Sequence, residues 1–146
     1  MAHRNWTGLV QGGLSLLLGG VAQAAIVGAE AVRGEDGRIT VTWQAVNGQA
    51  VDVLLSTNAQ APITAMRLVS INDRDGRHAV PALGERAYFL VQDGAGNAQK
   101  VAERTVPLVG GMNFRDVGGY RTIDGRYVRW GMIYRSSALA ELTAED

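Results

Sequence analysis

The sequence predicts a mostly β chain whose main folded unit is a sandwich of two sheets. Short runs of alternating apolar and polar residues fill Ala25 to Leu108, turn residues recur there about every ten positions, and no helical period of comparable length competes with them. With 146 residues, 47% hydrophobic and 19% charged, the chain has a globular composition. That leaves room for about one domain plus an appendage.

Residues 1–24 have the three-part layout of a secretory signal peptide. His3 and Arg4 precede the uncharged stretch from Gly8 to Gly20, centred on Leu14-Ser15-Leu16-Leu17-Leu18, and Ala22-Gln23-Ala24 follows as a small-x-small site. Cleavage is expected after Ala24, giving a periplasmic or secreted protein with no membrane attachment afterwards. The alternative, an uncleaved N-terminal anchor, fits a similar pattern. No cysteine follows the site, so neither a lipoprotein anchor nor a disulfide is available. Packing alone must stabilise the core.

The sandwich is expected over residues 25–109. Ile39, Val41 and Trp43 alternate with Thr40 and Thr42, giving one apolar face and one of β-favouring hydroxyls. Asn47-Gly48 reads as a hairpin turn, since both turn positions favour φ > 0. Val51, Val53 and Leu55 form the next alternating run, Pro62 ends that region, and Met66 to Ile71 is another strand. Asp75-Gly76 turns the chain toward Arg77 to Val80. Tyr88 to Gln92 and Ala98 to Val106 bracket Asp93-Gly94-Ala95-Gly96-Asn97, a hairpin with a longer loop. The segment Asn72 to Gly76 is a turn rather than a calcium loop, because Ile71 and Ala82 stand where an EF-hand needs oxygen ligands. His78 is isolated and cannot build a zinc site with cysteine or histidine partners.

About seven strands in roughly 80 residues, with Trp43 on an early strand and Tyr88 opening a late one, resemble a fibronectin type III or immunoglobulin-like module. The resemblance implies that Trp43 anchors the core between the sheets. It also implies that Tyr88 hydrogen-bonds through its hydroxyl at a corner.

Gly110-Gly111 reads as a hinge before a last segment, residues 110–146. There Tyr120 to Ile123 and Arg126 to Trp130 flank Asp124-Gly125 as a hairpin, and Met132 to Arg135 is a candidate strand. Ser136 or Ser137, and then Thr143 before Glu145 and Asp146, look like helix starts. Gly118-Gly119 lacks the spacing and the lysine of a phosphate loop and reads as a turn.

The residues Asn113-Phe114-Arg115-Asp116, Gly118-Gly119-Tyr120, Asp124-Gly125-Arg126, Val128-Arg129-Trp130-Gly131, Tyr134-Arg135-Ser136, Leu139 and Leu142-Thr143 resemble the N-terminal signature of bacterial tyrosine-specific and dual-specificity phosphatases. The resemblance implies the truncated N-terminal segment of an α/β cysteine-phosphatase domain. It further implies hydrolysis of phosphomonoesters through a cysteinyl-phosphate, with no metal or cofactor, on phosphorylated proteins or phosphoinositides. The His-Cys-x5-Arg loop that carries this chemistry in the family is absent, since the chain has no cysteine. No catalytic residue is therefore expected in this chain, which should be inactive alone. Arg115 and Asp116 would line or buttress the phosphate pocket, or hold the segment as a polar scaffold. Arg135, at the end of the first core strand, would point into the cleft or cap the strand in solvent. The alternative function is an exported sandwich acting as a binding or structural module with a vestigial phosphatase tail.

Net charge excludes one class of partner. Its 14 basic and 14 acidic side chains cancel, so no long-range field draws the chain to nucleic acid. The tail also carries Val117, Tyr120, Tyr127, Val128, Trp130, Met132, Ile133, Tyr134 and Leu139 without the sheet they would cover, and such exposed apolar surface favours association or disorder.

Overall fold

The computed structural model describes residues 26–146; the signal-peptide segment and its cleavage site lie outside the described residues. Seven strands form two antiparallel sheets. β1 (Ile26–Arg33), β2 (Ile39–Ala45) and β5 (Arg77–Val80) make the first, in the order β1-β2-β5. β3 (Val51–Ser56), β4 (Arg67–Asp73), β6 (Tyr88–Asp93) and β7 (Ala98–Ala102) make the second, in the order β4-β3-β6-β7.

Alternation decides which side chains meet between the sheets. Ile39, Val41 and Trp43 of β2 and Val51, Val53 and Leu55 of β3 are buried, while their odd-one-out neighbours are partly exposed. Phe89 and Val91 of β6 and Val101 of β7 complete the cluster. Each such side chain, fully buried, contributes about 1.5–3 kcal/mol. Trp43 is the expected core anchor. At the sandwich edge, β1 meets the chain after β7 through a parallel bridge between Ala31 and Glu103. There the Arg33 guanidinium grips the Glu103 carboxylate with two bonds of 2.7 Å.

The Asn47-Gly48 turn does a different job from the one expected. Asn47 and Gly48 have the positive φ values their types favour, 60° and 63°. They do not join a hairpin, however, because β2 lies in one sheet and β3 in the other. Both edges of β2 are already paired, with β1 and β5, so the turn carries the chain across the core. Asp75-Gly76 likewise passes from β4 in one sheet to β5 in the other. β1 has no counterpart among the predicted strands: Gly28 at φ 63° and a register shift between Val27 and Glu30 break its alternation.

The β6–β7 hairpin forms where predicted, although β7 ends at Ala102 rather than Val106, and Asp93 organises its loop. The carboxylate accepts hydrogen bonds from the backbone N–H of Ala95 (2.9 Å) and Asn97 (2.8 Å) and from the Asn97 side-chain amide (2.7 Å). These bonds, that of the Asn97 side chain first, hold the Asp93 carboxyl below the ordinary carboxylate range. The folded value being depressed, the stabilisation is present above the unfolded pKa of about 3.9 and fades as pH falls through the folded one. Asp93→Ala is expected to cost about 2 kcal/mol at neutral pH. Urea unfolding of both proteins should show the difference shrinking below about pH 4; an equal difference at both pH values would refute it.

Beyond β7 the chain returns as a small three-stranded layer. Arg104 to Val106 pairs with the 112–117 stretch, and that stretch pairs with 133–138. Its regular cores are only β8 (Arg115–Asp116) and β9 (Tyr134–Arg135), shorter than the strand predicted over Met132 to Arg135. The hairpin around Asp124-Gly125 forms as a three-residue loop, Thr122 N–H bonding to Arg126 C=O with Gly125 at φ 82°. Neither predicted helix start leads into a helix among the described residues. The Ser136 hydroxyl lies 2.8 and 2.9 Å from the carbonyls of Met112 and Ala138, so it serves the layer instead of an N-terminal N–H. Gly110, expected as part of a hinge, is a point of close approach: a Cβ there would sit 1.7 Å from the Glu141 carbonyl oxygen.

Candidate functional site

In this small layer, residues directly opposite one another share a face. One row is Arg104–Asp116–Tyr134, turned toward the sandwich, and the next is Thr105–Arg115–Arg135, turned away. The three residues singled out from the sequence therefore divide. Asp116 goes inward, while Arg115 and Arg135 go outward.

Asp116 is 1% exposed. Its carboxylate accepts the N–H of Gly118 and of Gly131, both at 2.7 Å, and pairs with Arg86 at 2.8 Å. Arg86 precedes β6 in the sandwich and also donates to the Glu103 carbonyl at 2.6 Å. Its guanidinium lies over the rings of Tyr88 and Tyr134. Three donors thus take three of the roughly four acceptor sites of this buried carboxylate, and the geometry holds the layer onto the sandwich.

Trp130 is the apolar half of the same clamp. It is buried with Tyr88, Ala102 and Ala59 on the outer face of the four-stranded sheet. The indole N–H donates to the Lys100 carbonyl and the Trp130 carbonyl accepts from the Gln60 side chain, each at 2.9 Å. Tyr88 is thus not the corner residue that the sequence suggests. Phe89 takes the inward position of β6, so Tyr88 points outward and is covered by the tail; its burial pushes the hydroxyl pKa up.

Gly118-Gly119 is a seat for the indole rather than a simple turn. A Cβ on Gly118 would come within 2.5 Å of Trp130 Cα, and one on Gly119 within 2.5 Å of its Cζ2. Arg104 packs its guanidinium between Tyr120 and Trp130, at 4.3 and 5.0 Å from the ring centroids, and donates to the carbonyls of Asp116 and Gly118. Beside the indole lies a cleft of about 300 Å³ lined by Leu90, Gln99, Lys100, Tyr127 and Arg129. Burial lowers the Lys100 pKa, and its ammonium donates to the carbonyls of Ala59 and Ala61.

Arg115 and Arg135 stand opposite each other on the outer face. Neither guanidinium has an ion pair among the described residues, and the Arg115 Nε–H is buried without a partner. No cluster of three or more metal-ligating side chains occurs among the described residues.

Residues 106–146 match the tyrosine phosphatase family. That span holds Asp116, the glycine seat and Trp130, whereas Arg86, Tyr88 and Lys100 lie before it. No curated protein matches the chain. Among solved structures, an Fn3-like protein from Clostridium thermocellum is similar at 20% identity, over 56% of this chain and 91% of that one, with a TM-score of 0.43. Pectate lyase Pel3 from Pectobacterium carotovorum is similar at 13% identity, over 56% of this chain and 27% of that one, with a TM-score of 0.41.

Sequence reasoning missed Arg86, Arg104 and Lys100 as partners of the tail. Nothing local marks them: each acts through a residue at least 12 positions away. Trp130 carried a signal, as the one tryptophan in a tail short of cover.

Proposed function

We propose that this chain is the N-terminal part of an exported phosphatase of the tyrosine or dual-specificity type, periplasmic or secreted. Residues 1–24 are its signal peptide, 25–109 an immunoglobulin- or fibronectin III-like accessory unit, and 110–146 the opening of the catalytic domain. The observation that carries this reading is the match of residues 106–146 to the tyrosine phosphatase family. The complete enzyme hydrolyses phosphomonoesters on proteins or phosphoinositides through a cysteinyl-phosphate. Such a reaction needs a thiolate to accept the phosphoryl group, an arginine with backbone N–H groups to hold its oxygens, and an acid to protonate the leaving group.

This chain has no cysteine, and its one fully buried carboxylate of the phosphatase-like segment is spent on Arg86 and two backbone amides. Its own role is then positional: it sets the start of the catalytic domain on a rigid sandwich. Purified chain should release no phosphate from an aryl phosphate, and a chain extended through a His-Cys-x5-Arg loop should do so. Turnover that persists through purification of the cysteine-free chain would overturn the mechanism.

A second reading has one observation in its favour. The core between the two sheets is built from residues 26–101, without help from the tail. A sandwich that folds alone can serve as a binding module in its own right. Limited proteolysis that yields a folded 26–102 core retaining a ligand of the intact chain would favour that module.

A further inference from the structure

We propose that the outer face of the four-stranded sheet binds a linear alkyl carboxylate, its head held at Lys100 and Arg129 and its chain laid along Leu90, Leu54 and Leu68. The leucines are direct cross-strand partners: Leu68 faces Leu54, Leu54 faces Leu90, and Leu90 faces Lys100. Because Val53, Leu55, Phe89 and Val91 turn inward, this row lies on the side away from the core. Leu68 is 47% exposed, and Leu54 and Leu90 are half-buried, so the described chain covers the row only in part. The outer rows on either side, Asp52–Gln92–Ala98 and Ser56–Tyr88–Ala102, are mixed. They confine the apolar strip to the width of one side chain.

One end of the strip carries the charge. At Lys100 it runs into the cleft beside Trp130, which Tyr127 and Arg129 also line and which has no acidic residue among its described lining. Neither cation has an ion pair among the described residues. The Lys100 ammonium gives two of its three donors to the Ala59 and Ala61 carbonyls, and burial disfavours its charge. A carboxylate there supplies the missing counter-charge, and the Arg129 fork donates to both of its oxygens. The other end, at Leu68, is the free edge of the sheet, since β4 pairs only with β3. Three strand spacings, about 14 Å, separate Lys100 from Leu68. An extended dodecanoate covers about 13 Å at roughly 1.2 Å per bond, whereas a ring or a branched body is wider than the strip. The site goes beyond the phosphatase reading and does not rest on it.

The test follows the leucine methyl signals of the whole chain by NMR while hexanoate, nonanoate or dodecanoate is added, below its micelle-forming concentration and at constant ionic strength. Dodecanoate is expected to shift Leu90, Leu54 and Leu68 saturably, whereas hexanoate, spanning about 6 Å, stops short of Leu68. Affinity should rise about twofold per added CH2, one side of the chain remaining in water. Nonanol should bind at least about tenfold more weakly than nonanoate, and Arg129→Gln should weaken nonanoate about fivefold while leaving nonanol unchanged. Leu54→Thr, which suits a strand but interrupts the row, should weaken dodecanoate about tenfold. If that variant unfolds, the chain-length series on the unaltered protein still decides. No saturable shift, affinity independent of chain length, or equal binding of nonanol and nonanoate would overturn the site. Tighter binding of phenylacetate than of nonanoate would overturn the linear-chain assignment. Burial of the same leucines in the chain extended through a His-Cys-x5-Arg loop, with no response to dodecanoate in either protein, would make the row a domain interface instead.

Discussion

Asp116→Ala is expected to detach the 104–138 layer from the sandwich, at a cost of about 3–5 kcal/mol. The carboxylate is the joint acceptor of one guanidinium and two backbone amides, and all three donors lose it together. Arg86 is the expensive part: its side chain is 18% exposed, so its charge is left desolvated with only carbonyl and hydroxyl neighbours. Asp116→Asn keeps an acceptor and should lose less. A cycle with Arg86→Met isolates the pair, since the double variant removes both the charge and its counter-charge. Chemical unfolding and amide exchange at Gly118 and Gly131 measure it. If the Asp116→Ala and Arg86→Met losses simply add, the ion pair is not what holds the layer.

Trp130→Ala attacks the same junction from its apolar side. Replacing a buried tryptophan with alanine costs about 3–5 kcal/mol when the site cannot collapse. Here the glycine seat and the outer face of the sheet are fixed by backbone, so little collapse is available. The sandwich core contains no atom of Trp130, and β1–β7 should keep their exchange protection. Cleavage within residues 103–111 should accelerate about a hundredfold if opening becomes easier by about 3 kcal/mol. Loss of protection throughout both sheets at the same denaturant concentration would instead show that tail and sandwich fold as one cooperative unit.

The strands that position this junction were legible where alternation was clean. β2, β3 and β6 each bury every second residue, and a period of two is a local property. Pairing is not local. Asn47-Gly48 advertised its backbone conformation correctly, but whether its flanking strands join depends on which edges are already taken. β1 escaped because one bulged glycine shifts its parity. The same parity decided Tyr88, since Phe89 beside it is better suited to the interior. For the site, the sequence pointed to Arg115, Asp116 and Arg135 as a group. It did not show that Asp116 faces the opposite way from Arg115 and Arg135 in one two-stranded ladder, nor that the partner of Asp116 comes 30 residues earlier.

The expected unsatisfied surface of the tail is only partly relieved. Trp130 finds cover, while Tyr120, Ile123, Tyr127, Met132, Ile133, Tyr134 and Leu139 remain exposed. That is a physical argument for the catalytic-domain reading, in which further chain lies against them.

The two-faced strand at 112–117 also limits how the chain can change in length. Adding or removing a single residue between Asn113 and Asp116 exchanges the rows, because the side-chain period is two. A guanidinium would then be driven toward Arg86 and a carboxylate out into water. Length variation in the loop at Ile123-Asp124 disturbs neither row, being closed off by the Thr122–Arg126 bond. Among descendants of this sequence, insertions and deletions should therefore collect at the hairpin tip and spare the strand.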